Sequence, residues 1–72
     1  MKIIERRRTN VETITLERDS KERLIDLYFV NLYYDDSSKV IDMTIETEDG
    51  TIFEEEEEFK EIENFLKEKK II

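Results

Sequence analysis

Five consecutive glutamates, Glu54 to Glu58, form the densest group of ionisable side chains in the chain. Such a run can hold a hard cation, present a surface that imitates nucleic acid, or open a helix, because carboxylates are favoured at the positive end of a helix dipole. The helix reading is supported at the other end of the segment, where Lys67, Lys69 and Lys70 fall in the last turn of a helix expected over 54–70. Glu56 with Lys60 and Glu63 with Lys67 add pairs at i, i+4 spacing.

Calcium binding fails on spacing. If Gly50 takes the place of the invariant glycine in an EF-hand loop, Ile45 and Thr47 fall where acidic ligands belong. Glu46, Glu48 and Asp49 leave a weak divalent-cation site open as an alternative, since hard cations accept carboxylate clusters. No other cofactor is expected. The chain has neither histidine nor cysteine, which removes the usual partners of a nucleophile and the common zinc ligands. Ser20, Ser37 and Ser38 lie in expected turns, where hydroxyls bond the backbone. A single glycine precludes a Gly-rich phosphate loop. Paired carboxylates able to cleave glycosides would need a sugar-sized cleft, for which a chain of 72 residues has little material. The expectation is a protein that is not an enzyme.

Arg6, Arg7 and Arg8 invite a nucleic-acid reading that the formal net charge of −8 opposes. On a strand Arg7 points away from the side of Arg6 and Arg8, so these arginines are expected to pair with the acidic middle of the chain or to guard a sheet edge. Residues 1–23 carry seven basic and five acidic groups, 24–66 carry two and fourteen, and 67–72 carry three and one. The acidic middle repels nucleic acid and attracts a basic partner. In size, acidity and lack of cysteine the chain resembles the phage inhibitors of bacterial defence systems, a likeness of composition that carries no motif.

The elements that must position these groups follow from the apolar pattern. Residues 2–8, 11–18, 23–35 and 39–47 are rich in β-branched and aromatic residues and are separated by turn signals, which predicts consecutive antiparallel strands. "EDGT" at 48–51 predicts a hairpin with a short fifth strand over 51–53, although Thr51 and Glu54 also fit a capping box that would start the helix earlier. Phe59, Ile62, Phe65 and Leu66 share one helical stripe. Glu55 falls on that stripe too, and is expected to overhang the sheet or to meet an arginine. The fold class is therefore α+β: one domain, an antiparallel meander of four or five strands backed on one face by a C-terminal helix. No stretch is long and apolar enough for a signal peptide or membrane span, which makes the cytoplasm the expected location.

Register decides which residues the helix covers. A four-residue loop at 19–22 and a three-residue loop at 36–38 place Ile14, Leu16, Ile25, Leu27, Phe29, Ile41, Met43 and Ile45 on one apolar face. The alternate positions of the third strand, including Asp26, Tyr28, Val30, Leu32 and Tyr34, then form an uncovered aromatic stripe. Its neighbours would be Val11, Thr13 and Thr15 on one side and Asp42, Thr44 and Glu46 on the other. An apolar patch with a polar rim marks an interaction site. The expected partner site is Tyr28, Val30, Leu32, Tyr34, Asp26, Asp42 and Glu46 with Glu54, Glu57 and Glu61 of the helix. The expected occupant is a basic protein, kept by this contact from its nucleic acid. A homodimer through the same stripe is the alternative, and covering of the stripe by the chain ends Met1, Ile4, Ile71 and Ile72 is a third outcome.

Overall fold

The computed structural model describes residues 1–20 and 24–72. Strands β1 (Lys2–Arg8), β2 (Glu12–Asp19), β3 (Ile25–Tyr34), β4 (Val40–Thr47) and β5 (Gly50–Ile52) pair in chain order in one antiparallel sheet, and helix α1 (Glu57–Glu68) follows. The expected start of the third strand at residue 23 and residues 21 and 22 of the 19–22 loop lie outside the described residues.

Turn chemistry explains the hairpins. Between β3 and β4 the three-residue loop at 36–38 forms as expected: Ser38 N–H donates to Asp35 O at 3.0 Å and Asp35 N–H to Lys39 O at 2.9 Å. Asp35 Oδ1 accepts from the N–H groups of Ser37 and Lys39, both at 2.9 Å, and Ser38 takes the left-handed conformation with φ 63°. Between β4 and β5 a two-residue turn brings Thr47 opposite Gly50, whose φ of 131° is open to a residue without Cβ.

Both expected registers are overturned beyond these turns. In β3–β4, Tyr34 pairs with Val40 as the loop requires, but Tyr33 pairs with Asp42, so Ile41 is an extra residue on β4. This bulge shifts the remaining pairs by one, and Ile45 faces Val30 instead of Phe29. In β2–β3, Asp19 pairs with Ile25, so Leu16 faces Tyr28 and Ile14 faces Val30 instead of Ile25 and Leu27. Each displacement is an odd number of residues, and each turns β3 over.

The helix side of the sheet is consequently built from Ile14, Leu16, Tyr28, Val30, Leu32, Ile45 and Ile52, which pack with Phe59, Ile62 and Leu66 of α1 into one buried cluster. Fully burying each large aliphatic side chain stabilises the fold by about 1.5–3 kcal/mol. Ile25, Leu27 and Phe29, expected in this core, are on the other face, and Ile41 is 66% exposed. Ile3, Ile71 and Ile72 pack against the same helix-side cluster.

The glutamate run is mostly a turn. The helix starts at Glu57 and not at Glu54, and Glu54 and Glu55 are exposed in the connection before it, so Glu55 is not on the helical stripe. Glu56 N–H donates to Phe53 O at 2.9 Å, while Phe53 N–H donates to the Glu56 carboxylate. Glu57 and Glu58 remain in the first turn, facing the positive end of the dipole. The last turn closes in a Schellman motif: Lys70 N–H donates to Lys67 O at 3.0 Å, Ile71 N–H donates to Leu66 O at 2.9 Å, and Lys70 has φ 59°. Lys69 and Lys70 thus lie beyond the helix, leaving Lys67 in its last turn, 3.9 Å from Glu63. No helix is long and apolar enough to cross a membrane.

Candidate partner-binding face

Helix α1 covers one side of the sheet. Alternation places Leu27, Phe29, Asn31 and Tyr33 of β3 on the other side. Thr13, Thr15 and Glu17 flank them on β2, Glu5 and Arg7 lie outside these on β1, and Asp42, Thr44 and Glu46 flank them on β4. Leu27 and Phe29 are half-buried among these neighbours, and Tyr33 is 36% exposed.

A polar ladder crosses the middle of this open face. Thr13 Oγ1 donates to Asn31 Oδ1 at 3.0 Å, and Asn31 Nδ2 donates to Thr44 Oγ1 at 3.3 Å. The ladder links three strands through side chains and separates the Phe29 region from the Tyr33 region. An asparagine at this position would be costly in the core, where its amide would need buried partners.

Charge divides the face in two. On the β1–β2 side, Glu17 and Glu5 meet cations of the same chain, with Lys2 Nζ 3.6 Å from Glu17 and Arg7 Nη2 3.1 Å from Glu5, while Asp19 is exposed at the end of β2. On the β4 side, Asp42 and Glu46 are exposed, and among the described residues neither forms an ion pair within the chain. Each stands directly across from an aromatic ring, Glu46 opposite Phe29 and Asp42 opposite Tyr33. Asp42 Oδ1 also accepts the Met43 N–H at 2.9 Å.

The helix side holds two polar networks that are satisfied internally. At one end Glu12, only 6% exposed, accepts from Arg6 Nε and Nη2 at 3.2 and 2.8 Å and from the Tyr34 hydroxyl at 2.8 Å, while the Arg8 guanidinium stacks 4.5 Å from the centre of the Tyr34 ring. Burial pushes the Glu12 carboxyl up, but the Tyr34 and Arg6 hydrogen bonds and the charges of Arg6 and Arg8 outweigh it and hold the group below the ordinary carboxylate value. Arg6 and Arg8 therefore serve Glu12 and Tyr34, and Arg7 serves Glu5, so none of the three is paired to the acidic middle of the chain as a carboxylate partner.

At the other end, the Tyr28 hydroxyl donates to Glu58 Oε2 at 2.9 Å, and Arg18 pairs with Glu61. Burial and the Glu58 carboxylate push the Tyr28 hydroxyl up to about 12.

The expected site residues are therefore dispersed. Tyr28, Val30 and Leu32 are sealed beneath α1 and present nothing to a partner or to a second sheet, because the two register shifts turned β3 over. Tyr34 is half-buried on the same side, engaged with Glu12 and Arg8. Asp26 is half-buried opposite Arg18 and lines a cleft of about 280 Å³ with Tyr28, Glu56, Glu58 and the β4–β5 turn. Glu61 is held by Arg18, and Glu54 and Glu57 are exposed near the helix start. Only Asp42 and Glu46 lie on the open face. Among the described residues no group of three or more acidic side chains converges as a metal site would require.

Phe29, Tyr33 and Leu27 are the members of the open face that the sequence reading assigned to the core or passed over. Asn31 carried the missing signal: it lies between Phe29 and Tyr33 on their face of the strand, whereas the Tyr28, Val30, Leu32 series has no polar residue at its centre. Comparison with known proteins adds no constraint, since no family model, curated protein or solved structure matches the chain.

Proposed function

We propose that this chain is a non-catalytic acidic binding protein whose open sheet face engages a basic, nucleic-acid-binding protein and so competes with nucleic acid for it. The observation that carries this reading is the unequal charge of that face. Glu5 on β1 and Glu17 on β2 are matched by Arg7 and Lys2, whereas Asp42 and Glu46 stand across from Tyr33 and Phe29 with, among the described residues, no cation in contact. Aromatic side chains with a charged rim are well suited to anchor a partner. The net charge of −8 adds long-range attraction for a basic surface.

The test is a titration of the isotopically labelled protein with a lysine- and arginine-rich peptide, followed by amide NMR. Shifts should concentrate on β3 and β4 around Phe29, Tyr33, Thr44 and Glu46. Affinity should fall as salt screens the charges, and the protein should release a fluorescent oligonucleotide from the same peptide. Shifts confined to α1, or affinity indifferent to salt, would remove the proposal.

A further inference from the structure

We infer that the open face recognises arginine in particular, through two guanidinium subsites, Phe29 with Glu46 and Tyr33 with Asp42. This inference rests on the partner reading above and specifies its chemistry. In each subsite a ring on β3 lies directly across from a carboxylate on β4, and the two subsites share one face with the Asn31–Thr44 pair between them. A guanidinium can stack its plane on the ring while its N–H groups fork onto the carboxylate. An ammonium can use the charge but supplies neither the plane nor the fork.

The chain contains the two halves of this recognition in self-satisfied form, on separate arginines. On the helix side Arg8 lies 4.5 Å over the Tyr34 ring, and Glu12 accepts both the Tyr34 hydroxyl and the fork of Arg6. There ring, carboxylate and guanidinium all come from one chain. On the open face Arg7 is taken by Glu5, and among the described residues no guanidinium completes either ring–carboxylate pair, so the inferred occupant supplies it.

Spacing sets the form of the occupant. Phe29 and Tyr33 are four residues apart on one strand, which separates the subsites by about 13–14 Å. Asn31, tied to Thr13 and Thr44, occupies the interval and offers neutral polar contact. An extended segment with arginines at i and i+4 has the same repeat, so the occupant is a strand-like stretch of a basic protein with that spacing.

The experiment compares capped peptides that differ only in the cation and its spacing, titrated against the labelled protein. Two arginines four residues apart should shift the amides of Phe29, Tyr33, Asp42 and Glu46. Replacing both by lysine should weaken binding by about fivefold or more, and moving them two residues apart should weaken it similarly. Phe29→Leu and Tyr33→Leu, checked for an unchanged amide spectrum elsewhere, should each reduce the preference for arginine. Equal binding of the lysine peptide at this face overturns the arginine inference and leaves the basic-partner reading standing. Equal binding of the closer-spaced peptide overturns the two-subsite geometry, and absence of shifts on the face with every peptide overturns both.

Discussion

The hydroxyl of Tyr28 in the middle of β3 donates to Glu58 in the first turn of α1, 2.9 Å away, so one side chain with an apolar body and a polar tip joins sheet to helix. Tyr28 is 2% exposed and is among the largest side chains in the core. Tyr28→Phe should cost about 1 kcal/mol in urea unfolding, through the lost hydrogen bond. Tyr28→Ala should cost about 3–5 kcal/mol, comparable to what a core of this size supplies, and should leave the chain unfolded by circular dichroism.

The same residue gives an alkaline signature. Its hydroxyl is raised to about 12 in the folded state by burial and Glu58, against about 10 in the unfolded chain. Between these values the unfolded state has lost the proton that the folded state keeps, so stability present below pH 10 should decline as pH rises towards 12. Absorbance titration at alkaline pH should show late tyrosine ionisation, to which Tyr34 also contributes through burial and Glu12, and Tyr28→Phe should reduce its amplitude by one tyrosine. A wild-type titration lacking it would contradict the buried placement.

Glu12 gives the acid counterpart. Its folded value is lowered, so its contribution is present above the unfolded carboxylate range and is lost as pH falls through the folded value. Glu12→Gln should be less stable at neutral pH and should lose less stability on acidification than the wild type. Urea midpoints compared between pH 6 and pH 3 measure this; parallel curves would show that the Arg6–Glu12 pair carries no pH-dependent stability.

Ile41 is the extra residue of the β3–β4 bulge and is largely exposed. Deleting it should preserve every remaining pair, with Tyr34 still opposite Val40 and Tyr33 opposite Asp42, and should change stability modestly. Deleting the neighbouring Thr44 should instead shift the β4 residues before it by one, disturb which of their side chains face the helix, and cost several-fold more. Cross-strand NMR contacts between Val30 and Ile45 report the outcome, and equal sensitivity to the two deletions would argue against the bulge.

Lys70 and Ser38 hold positive φ without being glycine. Lys70→Gly and Ser38→Gly should each stabilise the protein by about 1 kcal/mol, because glycine avoids the left-handed penalty. Thermal or urea unfolding of the single variants tests this; destabilisation by both would mean that the side chains contribute more than the backbone strain.

Much of the architecture is written in local signals. The Asp36–Ser38 loop, the turn before Gly50, the strand order and the Phe59, Ile62, Phe65, Leu66 stripe follow from turn chemistry and periodicity. The side of β3 that meets the helix is a global property, and a bulge at Ile41 has no mark in composition because Ile41, like Val40 beside it, is a β-branched residue that suits a regular strand equally well. Both faces of β3 are apolar enough for a core, so alternation alone gives two equivalent answers, and Asn31 is the residue that distinguishes them. Asp42 and Glu46 kept their expected face because Met43 and Ile45 of the same strand pack on the helix side, while Tyr28, Val30 and Leu32 exchanged places with Leu27, Phe29 and Tyr33 when β3 turned over.

Every strand of the meander has its partner beside it along the chain, so the sheet can assemble by closing hairpin connections alone. Such local pairing favours rapid folding for a β-rich protein. Only α1 must swing back across the finished sheet, and its arrival is what dries the Tyr28, Val30 and Leu32 side and leaves the opposite side wet.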